Sequence, residues 1–144
     1  MKWVTREKAR VDRIACPWLI TRFIDKEATF LFVPASDVLA VAKREEAIPY
    51  DVPGVEFGHH GDQCSFDAFL DKYKLTDPAL LELALIVRGA DTEARGLTPE
   101  SAGLYAVATG FQAMARDDFD NMKQQFPVYD ALYEYCRARL ATAK

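Results

Sequence analysis

The stretch Glu56 to Asp67, EFGHHGDQCSFD, holds both histidines of this chain and one of its three cysteines. Imidazole and thiolate are good ligands for a borderline metal such as zinc or iron, which makes His60 and Cys64 the candidate donors. Two donors do not fill a tetrahedral shell. Folding must therefore add carboxylates, and Asp12 and Asp91 are the candidates. The same residues also have a purely structural reading, in which His60 bonds a backbone carbonyl and Cys64 packs as a small apolar group.

A second chemistry is that of a lone thiol. Cys16 precedes Pro17 at an expected helix start and stands near Arg13, and both features favour thiolate. Leu19 occupies the place where a second cysteine would complete a dithiol pair. Cys16 is thus a candidate nucleophile for one-thiol chemistry, or else a buried, inert side chain. A third possibility is anion recognition. Arg13 lies beside the helix start and Arg88 ends an apolar helix at RGAD, and a guanidinium presents paired donors to an oxyanion. Arg88 needs a partner if it is partly buried, and Asp91 is the nearest in sequence.

These groups need a frame. Trp3 to Thr5 reads as a short strand, and Ala28 to Val33, ATFLFV, as a buried one ended by Pro34. Val55 to Phe57 reads as a third strand that delivers the histidines. Helices are expected from about Pro17 to Asp25, after Ser36, from Ser65 to about Lys74, and over Ala79 to Val87, with Asp77-Pro78 as a start signal and Gly89 as the stop. Thr98-Pro99-Glu100 starts another, with Leu104, Val107, Ala108 and Phe111 on its buried face. Asp117-Asp118 opens a further helix. Pro127 begins or kinks the last, which carries a stripe of Tyr129, Leu132, Tyr133, Cys136 and Leu140. The expected fold is α+β and mainly helical, with about six helices around a small sheet of about three short strands.

The chain has 144 residues, half of them hydrophobic, the usual size of a single domain, so residues 1 to 144 are read as one unit. Its net charge of −4 disfavours attraction to nucleic-acid backbones. No apolar run is long enough for a bilayer, and the N-terminus lacks an export signal, so a cytoplasmic protein with reduced thiols is expected. The aromatic final helix leaves room for a homodimer or a protein-interaction role.

Read together, TREKARVDRIACPWLITRFID at residues 5 to 25, IPYDVPG at 48 to 54, HHGDQCSFD at 59 to 67, IVRGADT at 86 to 92 and YDALYEYCR at 129 to 137 resemble the chromate-resistance protein family, specifically the ChrB-type C-terminal domain. The resemblance spans nearly the whole chain. Longer relatives carry an additional N-terminal region and are associated with chromate-responsive control of a resistance operon, and this chain is expected to act without that region. The resemblance implies an accessory or sensor module binding chromate, a similar small oxyanion or a metal ion. A thiol- or metal-dependent oxidoreductase of metal stress is the competing class. Asp12, Arg13, Cys16, His60, Asp67, Arg88, Asp91 and Asp130 are the polar positions in the matching blocks.

Overall fold

The computed structural model describes residues 1–142. Its sheet has three parallel strands in the order β2-β1-β3, where β1 is Lys2–Arg6, β2 is Thr29–Val33 and β3 is Ile48–Pro49. Among the described residues there are six α-helices: α1 (Asp12–Leu19), α2 (Val38–Glu45), α3 (Ser65–Lys72), α4 (Pro78–Asp91), α5 (Ser101–Met114) and α6 (Asp118–Thr142). The fold is therefore α+β and mainly helical. Among the described residues no helix is long and apolar enough to cross a membrane.

β1 is the central strand, and both faces of it are covered. Trp3 and Val4 are fully buried and point to opposite sides. Val4 packs into a small cluster with Val38, Val41 and Ala42 of α2, while Trp3 enters the main core. There the Trp3 ring meets Tyr50, Phe57 and Phe69 edge-on, at centroid distances of 6.5, 5.5 and 5.2 Å.

The third strand differs from the expected one. Ile48–Pro49 pairs with β1, whereas Phe57 makes only a single bridge to Tyr50 and serves the core as a ring stacked on Phe69. Proline is tolerated in β3 because the strand lies at the sheet edge. The first helix also starts earlier than expected, at Asp12, and Pro17 lies inside it. Proline at 17 cannot donate to the carbonyl of Arg13, and the Tyr50 hydroxyl donates to that carbonyl instead, at 3.4 Å. The helix then continues as a π-helical turn, Ile20–Ile24.

Two later boundaries shift as well. Gly89 does not stop α4, which runs on to Asp91. Its role is contact: a Cβ there would lie 2.2 Å from the Ser101 hydroxyl, so the glycine lets α5 approach α4. Pro127 sits within a continuous α6 rather than at a helix start. On α5, Leu104 and Ala108 are buried as expected, but Val107 is exposed. On α6, Tyr129 and Cys136 are buried, and Tyr129 joins Trp18, Phe23 and Tyr133 in an aromatic cluster. Tyr129 and Tyr133 of the aromatic helix thus serve its own core, while Phe119 and Tyr135 stay exposed.

α6 also holds the turn that leads into α1. The side chain of Asn121 donates to the Ala9 carbonyl, Gln125 to Arg10 and the Tyr129 hydroxyl to Val11. Residues 121, 125 and 129 are spaced four apart, one face of a helix. Asp118 completes the clamp by accepting from the amides of Lys8 and Ala9.

Candidate functional site

The clamped turn delivers Asp12, the first residue of α1, into the interior at the carboxyl end of β1. Its carboxylate accepts from the amides of Ser65, at 2.7 Å, and Phe66, at 3.1 Å, the first residues of α3. A buried carboxylate at a helix start satisfies amides that have no partner within the helix. Asp51 follows β3 and lies at the carboxyl end of the neighbouring parallel strand. Its backbone is left-handed, with φ 53°. That conformation costs a non-glycine residue roughly 1 kcal/mol. It is held by Ser65, whose hydroxyl donates to Asp51 Oδ1 at 3.0 Å, and by the guanidinium groups of Arg6 and Arg13, which lie 3.3 and 3.5 Å from Oδ2. Asp91, the last residue of α4, accepts from the Asp12 amide at 3.2 Å.

His59 closes the cluster. Its Nε2 lies 3.0 Å from Asp91 Oδ2, 3.1 Å from Asp51 Oδ1 and 3.7 Å from Asp12 Oδ2. Gly58 permits this approach, since a Cβ at that position would lie 2.7 Å from the Val52 carbonyl. Each of Asp12, Asp51, His59 and Asp91 offers a ligand atom, and the four atoms all lie within 4.8 Å of one another.

The electrostatics follow from crowding. Burial, then Asp91 and Asp51, push the Asp12 carboxyl well above its ordinary range. Burial raises Asp91 too, against the pull of the His59 hydrogen bond. The same carboxylates, through hydrogen bonds to Asp51 and then Asp91, push His59 up to about 10. At neutral pH His59 is therefore an imidazolium, a third cation beside the Arg6 and Arg13 guanidinium groups.

The structure brings the expected Asp12 and Asp91 together, but with His59 rather than His60. The backbone of His60 pairs with Gln63, and its ring Nε2 bonds the Glu56 carbonyl at 2.8 Å. Cys64 is buried before α3, with its Sγ 3.5 Å from Asp67 Oδ2 and its thiol pushed upward by burial and then by Asp12. Arg13 spans the β1–α1 turn, donating to the carbonyls of Arg6, Glu7 and Lys8. Arg88 pairs with Asp67, not with Asp91: its Nε and Nη2 lie 3.1 and 2.9 Å from the two oxygens. Asp67 is the better partner because it stands at the start of α3, already fixed by the Cys64 amide. Asp130 of α6 stands apart from the cluster, accepting from Trp18 Nε1 and from Arg22.

Cys16 corrects the thiolate expectation. It sits mid-helix rather than before a helix start, is fully buried, and its Sγ lies 3.4 Å from Asp12 Oδ1. Burial and then the Asp12 charge push its thiol well up. All three cysteines are free and buried. A thiol reagent such as dithiobis(nitrobenzoate) is accordingly expected to label none of them rapidly in the native protein and all three once denaturant is added. Fast labelling of one native thiol would contradict this.

Asp51 and His59 were not singled out from sequence. Asp51 carries no local signal, because the two-residue strand before it has little pattern of its own; only the folded sheet puts it at a strand's carboxyl end, where ligands collect in parallel sheets. No local signal separates His59 from His60.

The family described as ChrB, C-terminal domain, matches residues 3–136. Protein ChrB of Cupriavidus metallidurans is 36% identical over 137 residues, covering 93% of this chain. The chain spans 40% of that relative's length. No solved structure matches. With a family match over nearly all of its length, the chain belongs to the chromate-resistance family, as a ChrB C-terminal domain.

Proposed function

We propose that this domain is a cytoplasmic metal-binding module of chromate and heavy-metal resistance, holding one divalent ion between Asp12, Asp51, His59 and Asp91. The observation that carries the reading is the convergence of three carboxylates and one imidazole, from four separate segments, on a single point. Three oxygens and one nitrogen form a hard-to-borderline donor set, suited to manganese, iron or zinc rather than to copper(I). The buried carboxylates repel one another until a cation neutralises them, so an ion would relieve the strain that raises Asp12 and Asp91. Arg6, Arg13 and Ser65 act on the ligand Asp51 from outside the cluster, as supporting groups that fix its orientation.

The test is calorimetric titration of Mn²⁺ and Zn²⁺ into protein freed of metal by chelator. The expected result is one ion per chain, with about one proton released at neutral pH as the ion displaces it from His59, and affinity rising with pH towards about 10. His59→Ala is expected to weaken binding at least about a hundredfold, while His60→Ala leaves it within about threefold. Absence of binding by the wild type, or equal losses in the two variants, would overturn the reading. In that outcome the cluster is a charge-paired structural clamp.

A further inference from the structure

Beside the cluster lies a cavity of about 470 Å³, lined among others by His59, Arg88, Asp91, Ala94 and Leu97. Asp12 and Asp51 are buried behind it, so the cavity is the side from which the cluster is reached. Arg88 precedes Asp91 by three residues on α4 and therefore shares its face. With Nε and Nη2 engaged by Asp67, the Nη1 of Arg88 has no hydrogen-bond partner among the described residues.

Charge favours an anion in this cavity once the cluster holds a cation. Asp12, Asp51 and Asp91 face Arg6, Arg13 and the protonated His59, leaving no net charge around the metal-free cluster. A divalent ion, with His59 neutral as its ligand, turns that into one net positive charge. The pair Arg88–Asp67 adds nothing to the balance. Asp62 and Glu93 also line the cavity, but both are exposed and screened by water. Four protein donors leave two positions open on a six-coordinate ion.

Size narrows the ligand further. The cavity falls in the range that holds an organic molecule and exceeds the need of a bare tetrahedral oxyanion, and Ala94 and Leu97 give it apolar wall. We propose that the cavity binds a small organic carboxylate, with one oxygen on the metal ion, the other accepting from Nη1 of Arg88, and the apolar body against Ala94 and Leu97. This rests on the metal-binding reading above.

The experiment titrates benzoate, butyrate and sulfate into metal-free and Mn²⁺-loaded protein, and follows binding by calorimetry and by the Mn²⁺ electron paramagnetic resonance spectrum. At least one of the two carboxylates is expected to bind the loaded protein, to alter its spectrum, and to bind more tightly than sulfate. Arg88→Lys, which keeps a cation for Asp67, should weaken that carboxylate about tenfold or more while leaving Mn²⁺ affinity within about twofold. Leu97→Ala, at a half-exposed position, should weaken it several-fold without disturbing Mn²⁺. Carboxylate binding that ignores the metal, that is no tighter than sulfate, or that is unchanged in Arg88→Lys overturns the assignment, as does no binding at all. If Mn²⁺ itself does not bind, the metal reading falls, and this inference with it.

Discussion

Asp12→Ala is expected to lose about 2–4 kcal/mol of stability even in metal-free protein, measured by urea denaturation in the presence of chelator. Removing the carboxylate strands two buried amides at the start of α3, those of Ser65 and Phe66, at about 1–3 kcal/mol each. Relief of repulsion from Asp51 and Asp91 offsets part of this cost. Asp12→Asn retains one acceptor oxygen and should lose less. Added Mn²⁺ should separate the proteins further, because an ion at a hundred times its dissociation constant stabilises the wild type by about 2.7 kcal/mol and stabilises neither variant comparably. If Asp12→Ala unfolded at the wild-type urea concentration, the carboxylate would not be the anchor of α3 described above.

Trp3→Ala should cost about 3–5 kcal/mol through the cavity left where the indole is removed from Tyr50, Phe57 and Phe69. For a chain of this length that lowers the melting temperature by roughly 10 °C. The effect should reach the site as well, because Tyr50 precedes Asp51 and its hydroxyl holds the Arg13 carbonyl. Trp3→Phe should lose much less. The indole Nε1 of Trp3 is buried without a partner, so phenylalanine removes an unsatisfied donor along with part of the ring. Calorimetric scans of the two variants would decide it, and a loss in Trp3→Phe as large as that in Trp3→Ala would contradict it.

The sequence made much of the fold legible because its signals were local. Asp77-Pro78 starts α4 as expected, with the Asp77 side chain accepting from the Ala79 amide, and in the turn before α5 the Thr98 hydroxyl accepts from the Ser101 amide. The apolar runs at Trp3 and Phe30 are paired strands. What failed depended on distant partners. Pro17 sits inside α1 because Tyr50, 33 residues later, offers a hydroxyl to the Arg13 carbonyl that proline leaves free. Ile48–Pro49 is a strand because β1 has a free edge there, and its two residues carry little pattern of their own.

For the site, the residue types and three of the segments were legible, while the particular histidine and the second strand-end aspartate were not. His59 and His60 are neighbours whose roles are divided by one backbone pairing, His60 with Gln63, and by Gly58, which itself lies against the Val52 carbonyl. The expected Arg88–Asp91 pair failed for a similar reason. Proximity along the chain favoured Asp91, but the folded protein had already committed that carboxylate to His59 and to the Asp12 amide.

The ladder of Asn121, Gln125 and Tyr129 grips three successive carbonyls, from Ala9 to Val11, immediately before Asp12. Such a grip has a fixed register, since sliding α6 by one turn, about 5.4 Å, would break all three bonds together. The last helix is thereby a mechanical handle on the buried carboxylate of Asp12. A pull along its axis would be felt at Asp12 as an all-or-none release rather than a gradual loosening.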